Sequence, residues 1–214
     1  IDANWKLISE NYQEYYHLPW VHPELSKVSR VEDHYRYQGS GMYCGQTTTP
    51  VSSDDRDDWT AMPPAPSLSA SDAASGRFLA LFPNVLFSVL PNHVFVMILD
   101  PVAPGRTIET GVWLVPPGSS PDEAAFATTR SFWIDVNNED IDIVQRSQRG
   151  LTTATGTPPG RLSARFEEPL HRFHNMVADK MTGVARIPEG DPDDHTDRYG
   201  SGVNPIPPVL GRRP

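Results

Sequence analysis

Residues 4–25 read NWKLISENYQEYYHLPWVHPEL, and the rest of the chain is organised around them. The stretch holds His17 and His22 with four residues between them, and Glu14 three positions before the first histidine. From Asn4 to Tyr16 there is neither Pro nor Gly. Trp5, Ile8, Tyr12, Tyr15 and Tyr16 recur close to a repeat of about 3.6 residues, which predicts a helix. Asp2 or Asn4 is placed to cap its start. Pro19 disfavours continuation and restricts the residue before it, so His17 falls near the helix end and His22 beyond a break. A spacing of five does not put two side chains on one helical face. A turn at Leu18–Pro19 can still bring both imidazoles to one point. Two neutral imidazoles and one carboxylate, with open positions, form the facial triad of non-haem Fe(II) centres. On the residues alone, two unrelated histidines near a helix end are the alternative.

Bulk properties narrow the field. A length of 214 residues suits one domain with a sizeable core. A net charge of -9 argues against nucleic acid or an anionic membrane as partner. No apolar run reaches the roughly 18 residues that span a bilayer, and no secretory signal is visible. The expected location is therefore cytoplasmic. Cys44 is the single cysteine, which excludes an intrachain disulfide. The 22 prolines point to long ordered loops and an extended tail.

Along the chain, Val28, Val31, Tyr35 and Tyr37 roughly alternate with polar residues and read as a strand, with His34 a solvated position on it. Met42 to Thr49 reads as another strand. Residues 50–77 are loop-like, with Asp54, Asp55, Asp57 and Asp58 around Arg56; they lack the EF-hand spacing and read as a solvated loop. FLALFPNVLFSVL, residues 78–90, reads as strand, break, strand. His93–Leu99 and Thr107–Val115 complete a hairpin, with His93 in a structural role. Ser120-Pro121-Asp122-Glu123 is a helix-start signature. It predicts a helix to about Val136, a break at Asn137 or Asn138, and a second helix from Glu139 to Arg149 ending at Gly150. Residues 152–166 form a loop. Glu167–Met181 is a helix with Leu170, Phe173, Val177 and Met181 on one face; His171 and His174 on it read as packing or surface residues. From Ile187 to Pro214 the chain is polar and Pro-rich, an arm or tail. The order of elements is that of an α+β fold with an antiparallel sheet.

Asn-Trp-Lys, then Glu-Asn, then Glu-x-x-His, four residues and His-Pro together resemble the iron-site helix of Rieske non-haem iron oxygenase α subunits. Later segments resemble the same family: Phe-Pro-Asn and Pro-Asn-His in mid-chain, EDIDIVQRSQRGL at residues 139–151, and EEPLHRFHNMVADKM at residues 167–181. The resemblance implies a helix-grip fold (START/Bet v 1-like), with His17 and His22 as ligands of a mononuclear Fe(II) and Asp140 as the third. Glu139 and Asp142 would point elsewhere round the helix. It implies that Asn11 and Glu14 belong to the catalytic set, Glu14 bridging towards a neighbouring subunit's Rieske domain. Gln148, Arg149, Gly150 and Leu151 are structural, with Gln148 within reach of the pocket. A Rieske [2Fe–2S] cluster needs two Cys and two His ligands, which this chain lacks. Residues 1–186 are therefore expected to be the catalytic domain without its N-terminal Rieske domain, and residues 187–214 the tail.

Glu at position 14 resembles the branch that oxidises quaternary-ammonium compounds of the carnitine, betaine and choline type. The expected activity is O2-dependent mono-oxygenation or demethylation of such a compound. The electrons would come from NAD(P)H through a reductase and the Rieske partner, in a homotrimer. Trp20, Tyr43, Phe78, Phe82, Trp113 and Phe132 are the aromatic faces available to a cation. An aromatic ring or aryl ether is the alternative substrate. A zinc hydrolase and a non-enzymatic ligand carrier are the readings of other classes.

Overall fold

The computed structural model describes residues 1–37, 41–49, 59–117, 122–153 and 160–183. The acidic run 54–58, the Ser120–Pro121 helix start and the Pro-rich tail lie outside them.

Helix α1 spans Trp5–Gln13, and the Asn4 side chain accepts from the Lys6 amide at its start. It ends before Tyr16 because Glu14 is extended and its carboxylate accepts from the Tyr16 and His17 amides instead. Two single-turn helices follow, α2 (Leu18–Val21) and α3 (Leu25–Val28), then a 3-10 turn at Val31–Asp33. Strand β1 is only His34–Arg36, shorter than the alternation suggests. Its inward residues are the polar His34 and Arg36, not Tyr35. His34 is thus buried, not solvated. Arg36 can face inward because Glu168 meets it at 3.0 Å, with both side chains buried.

Strands β2 (Tyr43–Thr48), β3 (Gly76–Leu81), β4 (Val85–Val89), β5 (Val94–Ala103) and β6 (Arg106–Leu114) complete a six-stranded antiparallel meander in the order β1-β2-β3-β4-β5-β6. A short helix, α4 (Ala70–Ala73), precedes β3. Cross-strand register sets the inner face. One row runs Cys44, Ala80, Leu86, Met97, Gly111; the next runs Gln46, Phe78, Ser88, Phe95, Trp113. Gly111 has no side chain where a Cβ would meet the Phe95 ring at 2.8 Å, so Phe95 can lie stacked on Trp113 at 4.2 Å between centroids.

Gly45 lets β2 approach β3 closely: a Cβ there would stand 2.1 Å from the Phe78 carbonyl oxygen. Gly45→Ala must push the two strands apart. A loss of about 1–3 kcal/mol is expected, read as a lower melting temperature; an unchanged melting curve would contradict the register.

Helix α5 runs unbroken from Glu123 to Thr153, 31 residues. The break expected at Asn137 or Asn138 is absent. Asn costs a helix well under 1 kcal/mol relative to Ala, and Asn137 uses its amide on Glu109 of β6, 2.7 Å away. Gly150 does not stop the helix either; the Thr152 and Thr153 hydroxyls donate back to the carbonyls of Gln148 and Arg149. Continuity matters, because Trp133, Val136, Asn137, Asp140, Ile141 and Val144 recur at helical spacing and all border one cavity. Helix α6 (Glu168–Thr182) then packs Phe173 and Met176 into the sheet's core beside Cys44 and Val144. An antiparallel sheet with α5 lying over its inner face, Asn137 on Glu109 and Trp133 on Phe78, is the helix-grip arrangement. Among the described residues no helix is long and apolar enough to cross a membrane.

Candidate metal centre

The His17–His22 spacing is solved by α2. His17 sits immediately before that single helical turn and His22 immediately after it, with the His22 amide on the Leu18 carbonyl at 3.0 Å. Pro19 lies at the start of the turn, where its missing N–H is harmless. The two rings end with their Nε2 atoms 3.2 Å apart. Asp140, from the middle of α5, places Oδ1 3.5 Å from His17 Nε2 and 3.0 Å from His22 Nε2. Among the described residues these three form the one group of His, Cys and acidic side chains with metal-ligand spacing. Donors about 2.0–2.1 Å from a common ion, at angles of roughly 90–110°, stand about 2.8–3.4 Å apart. The donor set therefore fits an ion bound on one face, and imidazole with carboxylate suits iron as well as zinc.

Each donor is held from behind. Glu14 hydrogen-bonds Nδ1 of His17. Glu139 Oε2 lies 2.8 Å from Nδ1 of His22. Asn11 donates from Nδ2 to Asp140 Oδ1 at 2.6 Å. Glu139 does not point away, as a count of helix angles suggests; its side chain is long enough to reach back to His22. Asp142 does point away and pairs with Arg146 on the surface. Glu139→Ala should lower metal affinity by about 10- to 100-fold, measured by equilibrium dialysis. An unchanged affinity would show that His22 needs no such support.

Electrostatics follow from this packing. Burial opposes charge on His17, but Asp140 and Glu14 outweigh it and raise the imidazole to about 9. His22 is raised for the same reasons, with Asp140 and Glu139 as its partners. Burial works against ionisation of Asp140 too, yet the two imidazoles hold it down at about 2.

The centre lies in the wall of a cavity of about 820 Å³, counted with its mouth. Leu86, Phe95 and Met97 of the sheet and Val136, Ile141 and Val144 of α5 make it largely apolar. Of the six aromatic candidates only Phe78 borders it; Trp20 is 82% exposed. Tyr12, Phe95 and Trp133 border it instead. Tyr12 and Phe95 obey the helix and strand periods, and that was the available signal. His34 also borders the cavity, stacked on Tyr15 with centroids 5.1 Å apart and with Nδ1 on the Arg30 carbonyl at 2.8 Å. Gln148 does not reach the pocket; it accepts from the Asn4 amide at 2.8 Å. His93 lies against Trp133 and Asn92, and His174 pairs with Glu10 at the surface.

Burial holds both His34 and His93 down to about 4, from an ordinary value of 6.5. Each is neutral in the fold, whereas the unfolded chain protonates both near 6.5. Their contribution to stability is complete above pH 6.5 and is lost as pH falls towards 4. Stability should fall through that window, and His34→Gln should shallow the fall by about one proton. An identical slope in the variant would contradict a neutral buried His34.

Residues 1–183 match the family model for the ring hydroxylating α subunit, catalytic domain. This chain belongs to that family. Among relatives of this ring-hydroxylating domain, the glycine betaine monooxygenase oxygenase subunit of Pseudomonas aeruginosa is 23% identical over 211 residues, covering 84% of this chain and 49% of that one. The subunit of the same name from Chromohalobacter salexigens is 26% identical over 212 residues, covering 84% and 47%. The chain thus spans about half the length of the curated relatives it matches. A quaternary ammonium Rieske monooxygenase superposes with a TM-score of 0.66 at 21% identity, over 83% of this chain and 47% of that one. The structure of such an enzyme with L-carnitine gives 0.61 at 20%, over 83% and 46%. At this identity the structural likeness carries the fold alone.

Proposed function

We propose that this domain holds a mononuclear Fe(II) on His17, His22 and Asp140 and oxygenates an N-methylated quaternary ammonium compound, ending in loss of a methyl group. The observation that carries the reading is the convergence of three donors, from two separate elements, at the wall of an apolar cavity. Bound there, ferrous iron supplies the O2-activating redox chemistry; the chain's residues do the rest. Glu14 and Glu139 fix the two imidazole rings, and Asn11 fixes the carboxylate. All three donors come from one side, which leaves the cavity side for substrate and O2. The apolar wall excludes water from the reacting C–H bond. Tyr12, Phe78, Phe95 and Trp133 offer faces to a cation. The substrates named for the relatives agree with this class.

Electrons need a [2Fe–2S] Rieske domain and an NAD(P)H-dependent reductase, because one cysteine cannot hold such a cluster. Glu14, on the far nitrogen of His17, is the contact proposed for a docked Rieske domain, in a trimer. The apolar lining also suits an aromatic ring or aryl ether as substrate. The test is turnover of the Fe(II)-loaded chain with a Rieske partner and reductase, supplied with glycine betaine, carnitine, choline or an aryl methyl ether. Formaldehyde released from the ammonium compounds supports the reading. Release from the ether alone would transfer it to the second substrate class. Zinc-dependent hydrolysis without O2 consumption would overturn both.

A further inference from the structure

We infer that the Glu109 carboxylate is the counter-charge for the substrate's cationic head, and so the residue by which the cavity selects an ammonium over a neutral group of the same shape. The inference rests on the substrate reading above. Glu109 lies on β6 opposite Leu99, on the inward parity of that strand, and borders the cavity beside Met97 and Asn137. Asn137 donates to one carboxylate oxygen at 2.7 Å. The other oxygen, Oε2, is buried and has no hydrogen-bond partner among the described residues. A buried carboxylate left half-satisfied is costly and is retained where something pairs with it. The cost is visible: burial raises the Glu109 carboxyl, the Asn137 hydrogen bond opposes this, and the nearby Asp140 charge adds to it.

Three acids border the cavity, and among the described residues no Lys or Arg does. Two of those acids are engaged, Glu14 with His17 and Asp140 with both imidazoles. Glu109 is not part of that set. Asn137 stands three residues before Asp140 on α5, a rise of about 4.5 Å. Its amide therefore holds Glu109 roughly one helical turn from the three donors. An ammonium head lying against Glu109 shares the cavity with Asp140. The faces of Phe95 and Trp133 add attraction for the same charge.

The test uses two probes of one shape, choline and its uncharged carbon isostere 3,3-dimethylbutan-1-ol, titrated calorimetrically into the full Fe(II)-loaded chain without O2. The wild type should prefer choline by about 10-fold or more. Glu109→Gln, with melting temperature and iron content checked, should weaken choline by about 10-fold while leaving the isostere unchanged, so that the ratio approaches one. Glu109→Asp keeps the charge and should keep a preference for choline; it serves as the second variant if the glutamine form does not fold. Equal weakening of both probes, or an intact ratio in Glu109→Gln, or a lost preference in Glu109→Asp, overturns the inference and leaves the substrate reading standing. A wild type that binds neither probe, or both equally, overturns the substrate reading and the inference together.

Discussion

Asp140→Ala should weaken Fe(II) binding by at least about 100-fold, more than the 10- to 100-fold expected for loss of a residue that only supports a ligand. Asp140 is the single donor supplied by α5; His17 and His22 come from the loop around α2. Removing it leaves two imidazoles as the donors, with no anionic ligand and the third side open. His17→Ala or His22→Ala should do comparable damage. Asn11→Ala should do less, because Asn11 only donates to the same Asp140 oxygen, at 2.6 Å. Circular dichroism separates loss of iron from loss of fold. A mutant that keeps near-wild-type affinity would remove Asp140 from the centre.

Glu168→Ala should cost about 3–5 kcal/mol of stability, for a reason unrelated to the metal. Glu168 opens α6 and meets Arg36 of β1 at 3.0 Å, with side-chain exposures of 1% and 2%. The pair fastens α6 to β1 across 132 residues of sequence. Deleting the carboxylate removes the Glu168 charge from a buried guanidinium, and the loss of that pairing in a desolvated place dominates the cost. Melting should fall by roughly 2–4 °C per kcal/mol for a domain of this size. Replacing both residues by Met should recover much of the loss, since a buried ion pair is often no better than apolar packing. A single mutant within 1 °C of wild type would contradict the buried pair.

What could be read from the residues alone was local. Period and breakers place α1, the β3–β4 hairpin and α6 to within a few residues, and the motif match singles out the three donors that the fold brings together. What could not be read depended on partners distant in sequence. The inward parity of β1 runs against hydrophobicity, because Arg36 is compensated by Glu168 and His34 by Tyr15 and the Arg30 carbonyl. The continuity of α5 through Asn137 depends on Glu109, a strand away. Helix angle turns Glu139 away from Asp140, yet a glutamate can reach a ring that its Cβ does not face. Composition offers six aromatic faces without choosing among them; register decides, and of the six it turns Phe78 into the cavity.

The most direct measurement is anaerobic equilibrium dialysis of the wild-type chain against Fe(II) and Zn(II), followed by X-ray absorption at the iron edge. The expected result is one iron per chain, with nitrogen and oxygen ligands and no sulfur, and with Asp140→Ala empty under the same conditions. Zinc retained while iron is lost, or no ion held at all, would contradict an iron centre built from His17, His22 and Asp140.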